Sequence, residues 1–332
     1  MNIDVEAFIA AWNRCGGSPV AVSKLLGLTE RSVHRRRAAI MDQYGIKLNT
    51  RVCTNSGGSE WKGEGYAYKP RTTITIRDGF VGAFSDCHYW PGHISLAHEA
   101  LIKLEKILKP KALCANGDIF DGARISRHDP MGWQKLPTVI EELDTCKIRL
   151  SEIKRANPRK DCFYGFNMGN HDTRFDRRLA TEVSEFEDVP GMSIGHHLGK
   201  EWEMSYSLLV NEETDPIFIL HNIKGGMHAP FNNIKAAGCH VITGHLHSQK
   251  VMPFTNLFKT WEGIDAGCLA CVNSPAFSYG MDRPADHRSG FVMVWIDENG
   301  FAYPADLCRV QYLKDKQRAI FRGEVVCERA NP

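Results

Sequence analysis

No stretch of this 332-residue chain stays apolar for the roughly 20 residues that a membrane-crossing helix requires. The opening residues, Met1-Asn2-Ile3-Asp4-Val5-Glu6, have neither the basic start nor the apolar core of a secretory leader, so none is expected. Neither sign of charge dominates: 41 Lys plus Arg stand against 39 Asp plus Glu, for a formal net charge of +2 and a pI near 8.0. That balance excludes an indiscriminate polyanion binder. Eleven cysteines are scattered without a disulfide framework, which fits a reducing cytoplasm. The Cys268-Leu269-Ala270-Cys271 pair lacks the second pair that a tetrahedral zinc site needs and reads as buried structure. Internal repeats and low-complexity tracts are absent.

What the chain does have is 14 histidines, several of them set among acids and glycines. Five fragments follow one another: Asp86-Cys87-His88, Gly117-Asp118-Ile119-Phe120-Asp121, Gly169-Asn170-His171-Asp172, His221-Asn222 and Gly244-His245-Leu246-His247. Taken singly, each has an ordinary explanation, such as a solvated pair or a turn. Together they supply carboxylate, imidazole and one amide oxygen, the donor set that holds two divalent cations about 3.5 to 4 Å apart. Each fragment also follows a short apolar run: 80–84, 112–115, 162–166, 216–220 and 241–243. Such runs ending in Gly, Asn or Asp predict buried strands followed by loops, and in layered α/β folds ligands bind at the carboxyl ends of strands.

In these five blocks the chain resembles the calcineurin-like metallophosphoesterases, over roughly residues 79 to 300. The resemblance implies an α/β fold, a four-layered β-sandwich flanked by helices, in which a bridging hydroxide at a two-metal site attacks phosphorus. By the same resemblance, Asp86, His88 and His247 bind the first metal, and Asn170, His221 and His245 bind the second. Asp118 bridges both. His171 is the catalytic imidazole beside the leaving oxygen, and Asp121 orients it. Asp172 is open between that orienting role and a turn acid capping 173–175. Cys87 lies between two ligands on the opposite strand face and reads as buried filler. Manganese is the expected cation, with iron and zinc fitting the same donors.

After Asp121 the chain departs from the protein-phosphatase pattern. Arg124, Arg127 and His128 either clamp a phosphodiester or form an ordinary solvated loop. Two long excursions, 122–155 and 173–204, the latter carrying His196-His197, are candidate lids or binding loops. Near the carboxyl end, 290–296 reads as a strand, 297–300 as a turn, and 308–313 as a second strand that completes the outer sheet.

The amino-terminal segment 18–37 resembles a helix-turn-helix. Ser18 caps, Pro19 starts the first helix, Val22, Leu25 and Leu26 face inward, Gly27 turns, and Thr29 caps a second helix. The DNA-contacting candidates on that second helix are Arg31, Ser32, His34, Arg35 and Arg36. The competing reading is a cap domain with a solvated basic face. Domains are therefore expected at 1–47 (helix-turn-helix), 48–70 (a Gly- and Ser-rich linker) and 71–325 (phosphoesterase), with Thr72 to Ile76 as an edge strand that Arg77-Asp78-Gly79 turns into the first core strand. The combination is similar to phosphoesterases encoded by bacteriophages.

Three readings follow. The first is a phosphodiesterase acting on DNA in the cytoplasm of a bacterial cell, with no membrane partner. The second is a phosphomonoesterase on phosphoproteins or nucleotides. The third is a non-catalytic DNA-binding scaffold, which loss of a ligand or of His171 would favour; neither is lost.

Overall fold

The computed structural model describes residues 4–15, 19–44, 46, 48, 68–127, 133, 135–273, 275–280 and 286–331. The chain divides into two compact units, Met1–Glu64 and Gly65–Pro332. The bulk of the expected linker, the capping residue Ser18 and His128 lie outside the described residues.

The smaller unit holds three helices: α1 (Val5–Arg14), α2 (Pro19–Leu26) and α3 (Glu30–Tyr44). In α1 the apolar residues Phe8, Ala11 and Trp12 recur at helical spacing, so one face is buried. Phe8 and Trp12 meet Val22, Val33, Ile40 and Leu48 in a small core. Gly27 turns the chain at φ +63°, and Thr29 Oγ1 accepts the Ser32 N–H (3.3 Å) at the start of α3. Two expectations need correction. Helix α1 supplies much of the core but lies before the helix pair read from the sequence, and Leu25 is 47% exposed rather than inward-facing. The α3 cations also differ among themselves. Arg36 lies over the Phe8 ring (5.9 Å), half-buried, and Arg37 over Trp12 (5.3 Å), whereas Arg31, His34 and Arg35 are exposed and Ser32 is half-buried.

The larger unit runs β1 (Thr72–Ile74), β2 (Gly79–Phe84), α4 (Leu96–Leu108), β3 (Ala112–Asn116), α5 (Val139–Ala156), β4 (Phe163–Asn167), α6 (Thr173–Glu182), α7 (Ile194–Leu198), β5 (Glu203–Ser205), β6 (Ser207–Val210) and β7 (Ile217–Leu220). It continues through α8 (Ala229–Ala237), β8 (His240–Thr243), β9 (Lys250–Thr255), β10 (Thr260–Asp265), β11 (Gly290–Ile296), β12 (Asp306–Tyr312), β13 (Lys316–Phe321) and β14 (Glu324–Ala330). The strands form two sheets, ordered β1-β6-β7-β8-β10-β9 and β14-β13-β12-β11-β2-β3-β4-β5.

Alternation along the strands explains the layering. Val81, Ala83, Ala112 and Cys114 point from β2 and β3 toward Leu208, Val210, Ile219, Ile242 and Ile264 of the other sheet. Their neighbours Phe80, Phe84, Leu113 and Ala115 point the other way, into a core shared with α4 and α5. Both faces of β2 and β3 are thus covered, which is why these runs are apolar throughout rather than alternating. Helix α8 packs on β8, β9 and β10. The architecture is mixed α/β, with two sheets face to face and helices outside them.

Some elements differ from the sequence reading. β1 is the expected edge strand but ends at Ile74; it pairs parallel with β6 in the six-stranded sheet, and Arg77 to Gly79 carries the chain from there to the other sheet. The carboxyl end adds two strands, β13 and β14, beyond the expected pair. Among the described residues no helix is long and apolar enough to cross a membrane.

Two buried amides tie the sheets together beneath the strand ends. Asn167 Nδ2 donates to Asn116 Oδ1 (2.8 Å) and to Ile219 O of the other sheet (2.9 Å), and Asn116 Nδ2 donates to Leu220 O (3.0 Å). Asn167→Leu strands the buried Asn116 and Ile219 acceptors and should cost about 2 to 4 kcal/mol, read as a lower denaturant midpoint. An unchanged midpoint would show that the amide tie is dispensable.

Candidate metal centre

The site is assembled from loops that follow five strands. Asp86 and His88 follow β2, Asp118 and Asp121 follow β3, and Asn170 and His171 follow β4, three adjacent parallel strands of one sheet. His221 follows β7 and His245 and His247 follow β8, adjacent parallel strands of the other sheet.

Each loop leaves its strand abruptly. Asp86, His88, Asp118, His245 and His247 all adopt left-handed backbone, with φ of +53°, +39°, +54°, +69° and +59°. That conformation costs an L-residue about 1 to 3 kcal/mol and persists only where surrounding structure enforces it. Five of the proposed ligands therefore hold a backbone conformation uncommon for L-residues. Gly169 is equally constrained: a Cβ there would collide with the backbone nitrogen and carboxylate of Asp118.

Two groups of donors result. In the first, Asp86 Oδ1 lies 2.9 Å from His247 Nε2 and 3.9 Å from His88 Nε2. In the second, His221 Nε2 lies 3.1 Å from Asp118 Oδ2 and 3.2 Å from Asn170 Oδ1, and a His245 ring nitrogen is close enough to share an ion with Asp118 and His221. Each group offers ligand atoms within 4.8 Å of one another.

The outer contacts fix the imidazoles. His221 Nδ1 donates to Asn116 O (2.8 Å), which leaves Nε2 with a lone pair aimed inward. His88 Nδ1 is held by Asp121 Oδ1 (2.8 Å), while His88 Nε2 is buried without a hydrogen-bond partner among the described residues. An orphaned buried nitrogen is costly, and a cation beside Asp86 would satisfy it. The donor set therefore fits a pair of divalent metal ions.

The charges agree. Burial alone would raise the Asp86 carboxyl, but the His247 and His221 imidazoles outweigh it and hold it at about 2. Burial would lower His221, yet the Asp118 and Asp86 carboxylates push it up to about 10. Asp118 and Asp121 are held well below the usual carboxylate range despite burial, Asp118 chiefly by His221 and Asp121 by His171 and His88. The pocket is built for positive charge, which protons or metal ions supply in competition.

Asp121 also binds His171 Nδ1 (3.0 Å), so one carboxylate orients both imidazoles. The third group, His88, Asp121 and His171, is thus a hydrogen-bonded relay rather than a further ion site. The structure resolves Asp172 differently from either sequence alternative. Fully buried, its carboxylate accepts the N–H groups of Asp118 (2.8 Å), Ile119 (3.1 Å), Phe120 (2.9 Å) and Gly169 (2.9 Å), stapling the β3 loop to the β4 loop.

The expected phosphate clamp is only partly assembled. Arg124 donates through Nε and Nη2 to the carbonyls of Pro137 (3.1 Å) and Leu136 (2.7 Å), which tethers its guanidinium to its own loop. Arg127 lines a cleft next to Asn170 and His171. His196 and His197 bond locally to Ser193 and Gly191, and Cys87 is buried in the helix-side core. Sequence reasoning missed Arg174, which donates to Asp121 O (2.8 Å) and to His171 Nε2 (3.0 Å). It also missed Phe277 and His287, whose rings sit 5.1 and 4.6 Å from that of His247. Nothing in the sequence marks these three.

No known family profile matches the chain, and no curated protein matches it. Among solved structures it is similar to Vps29 from Chaetomium thermophilum at 9% identity and a TM-score of 0.40, an alignment that covers 76% of this chain and 100% of that one. The likeness is loose, and the chemistry is read from the side chains.

If Asp118 serves both groups, Asp118→Asn should lower bound manganese from two ions per chain to less than one. His247→Gln, in contrast, should lose only the first, as counted by equilibrium dialysis with elemental analysis. Equal losses for both variants would remove Asp118 from the bridging position.

Proposed function

We propose that the chain is a metal-dependent phosphodiesterase acting on DNA. The observation that carries this reading is the presence of two Asp/His groups on loops of left-handed backbone from both sheets, with His88 Nε2 of the first group buried and without a hydrogen-bond partner among the described residues. Two divalent ions, manganese by preference for this mix of oxygens, imidazoles and an amide, would supply an activated water and neutralise the phosphate. Asp86, His88 and His247 would hold one ion, Asn170, His221 and His245 the other, with Asp118 between them.

The chain's own groups then divide the work. Asp121 holds His171 by Nδ1, so Nε2 is the nitrogen that would carry a proton to the leaving oxygen once the Arg174 donor has left it for the substrate. Arg174 holds a guanidinium donor against the same nitrogen, placed to take a phosphoryl oxygen as charge develops. In the smaller unit, Arg31, His34 and Arg35 are exposed on α3 and are the proposed DNA contacts; Arg36, drawn over Phe8, contributes less.

His171→Ala should keep both metal ions yet lose about 10²- to 10⁴-fold in turnover of a dinucleotide. The loss should shrink on bis-p-nitrophenyl phosphate, whose leaving group needs no proton. Equal losses on both substrates would leave His171 an electrostatic role only.

Arg31→Ala with Arg35→Ala should weaken duplex DNA binding and reduce its salt slope by about 0.9 for each phosphate that is no longer neutralised. A slope identical to that of the unaltered chain would show that α3 does not hold DNA. Chelated protein that cleaves diesters as fast as the metal-loaded form would overturn the phosphodiesterase reading itself.

A further inference from the structure

Helix α6 begins three residues after Asn170 and has a clear division of faces. Phe175 packs on Phe120 (6.5 Å) and His197 (5.4 Å), and Asp176 accepts from Tyr68 Oη and the Ile194 N–H, both at 2.7 Å. These contacts fasten the helix. Arg174, Arg177 and Arg178, spaced i, i+3 and i+4, share the opposite side.

That side forms one wall of a cleft of about 410 Å³, whose other linings include Arg127, Asn170 and His171. Four guanidinium groups meet there against a single lining carboxylate, Glu182, which pairs with Arg178 at 3.4 Å. Among the described residues no carboxylate pairs with Arg127 or Arg177. Crowding like charges on neighbouring helix positions is unfavourable, and an anion in the cleft would offset it. Arg174 marks the inner end, since its guanidinium touches His171 Nε2; Arg178 lies about 6 Å further along the helix axis.

We infer that this cleft is a subsite for a second phosphate of the substrate, the phosphodiester next along a polynucleotide strand from the one being cleaved. The inference rests on the phosphodiesterase reading above and narrows its substrate class. One phosphate sits at the metal centre beside His171, and the adjacent one is gripped by Arg127, Arg177 and Arg178, whose forked donors match its unbridged oxygens. A strand held this way is recognised by its backbone rather than its bases, which predicts cleavage with little sequence preference.

The test uses the full chain and labelled oligothymidylate. Binding is first measured in excess chelator across a salt series, for the unaltered chain, for Arg177→Ala/Arg178→Ala, and for Arg177→Lys/Arg178→Lys. The alanine pair should bind at least tenfold more weakly and flatten the salt slope by about 0.7, the value for one single-strand phosphate no longer neutralised, while the lysine pair keeps most of the slope. With manganese present, the ratio of kcat/KM on oligothymidylate to kcat/KM on bis-p-nitrophenyl phosphate should fall at least tenfold in the alanine pair.

An unaltered chain that cleaves diesters, together with an alanine pair that matches it in slope and ratio, overturns the subsite alone. An unaltered chain that cleaves no diester overturns the phosphodiesterase reading, and the substrate assignment of the cleft falls with it whatever the binding series shows. Tighter binding of a nucleoside triphosphate than of oligothymidylate, abolished in the alanine pair, would place the second phosphate on a polyphosphate and overturn the polynucleotide assignment.

Discussion

Burying Asp86, Asp118 and Asp121 together is the constraint on which the rest of the larger unit depends. A carboxylate taken out of water without compensation costs several kcal/mol, and three in one pocket repel one another besides. The protein meets this cost with imidazoles on every side, His88, His171, His221 and His247, and with backbone donors such as the His245 N–H on Asp86 and the His171 N–H on Asp118. Cations held by these donors would complete the compensation. The same arrangement, expensive for stability, is the one in which the proposed metal ions would polarise phosphate and water.

Holding such a pocket requires rigid supports, and they come from both sheets. The three parallel strands β2, β3 and β4 deliver the acids and the amide, and β7 and β8 deliver the remaining imidazoles. The Asn116 and Asn167 amides lock the sheets directly below the ligands, and Asp172 fastens the β3 and β4 loops to each other through four backbone N–H groups. The centre is therefore an inter-sheet structure, and the strain in its left-handed residues is sustained by this scaffold.

Much of this was legible in the residues. Apolar runs buried on both faces announced β2, β3, β4, β7 and β8, and each proposed ligand stands immediately after one of them, because a ligand placed at a strand end must follow its strand in sequence. What was not legible depends on distance along the chain. Asp172 reads as a turn acid until the fold carries the β3 loop to it, and Arg174 acquires meaning only when its helix lies against Asp121. Phe277, on a short 3-10 helix, and His287 stand in sequence without periodicity. Arg124 looked free in the sequence and is tethered to carbonyls of its own loop. In the smaller unit, the turn at Gly27 and the Thr29 cap were readable as local chemistry, whereas the stacking of Arg36 and Arg37 on α1 aromatics required knowledge of a helix that the motif did not contain.

The central claim is that two metal ions share this pocket, and electron paramagnetic resonance of the manganese-loaded protein tests it most directly. Two ions about 3.5 to 4 Å apart are exchange-coupled and give a broad multiline spectrum, which is the result the donor geometry predicts. A spectrum of isolated single ions at full loading would contradict the account.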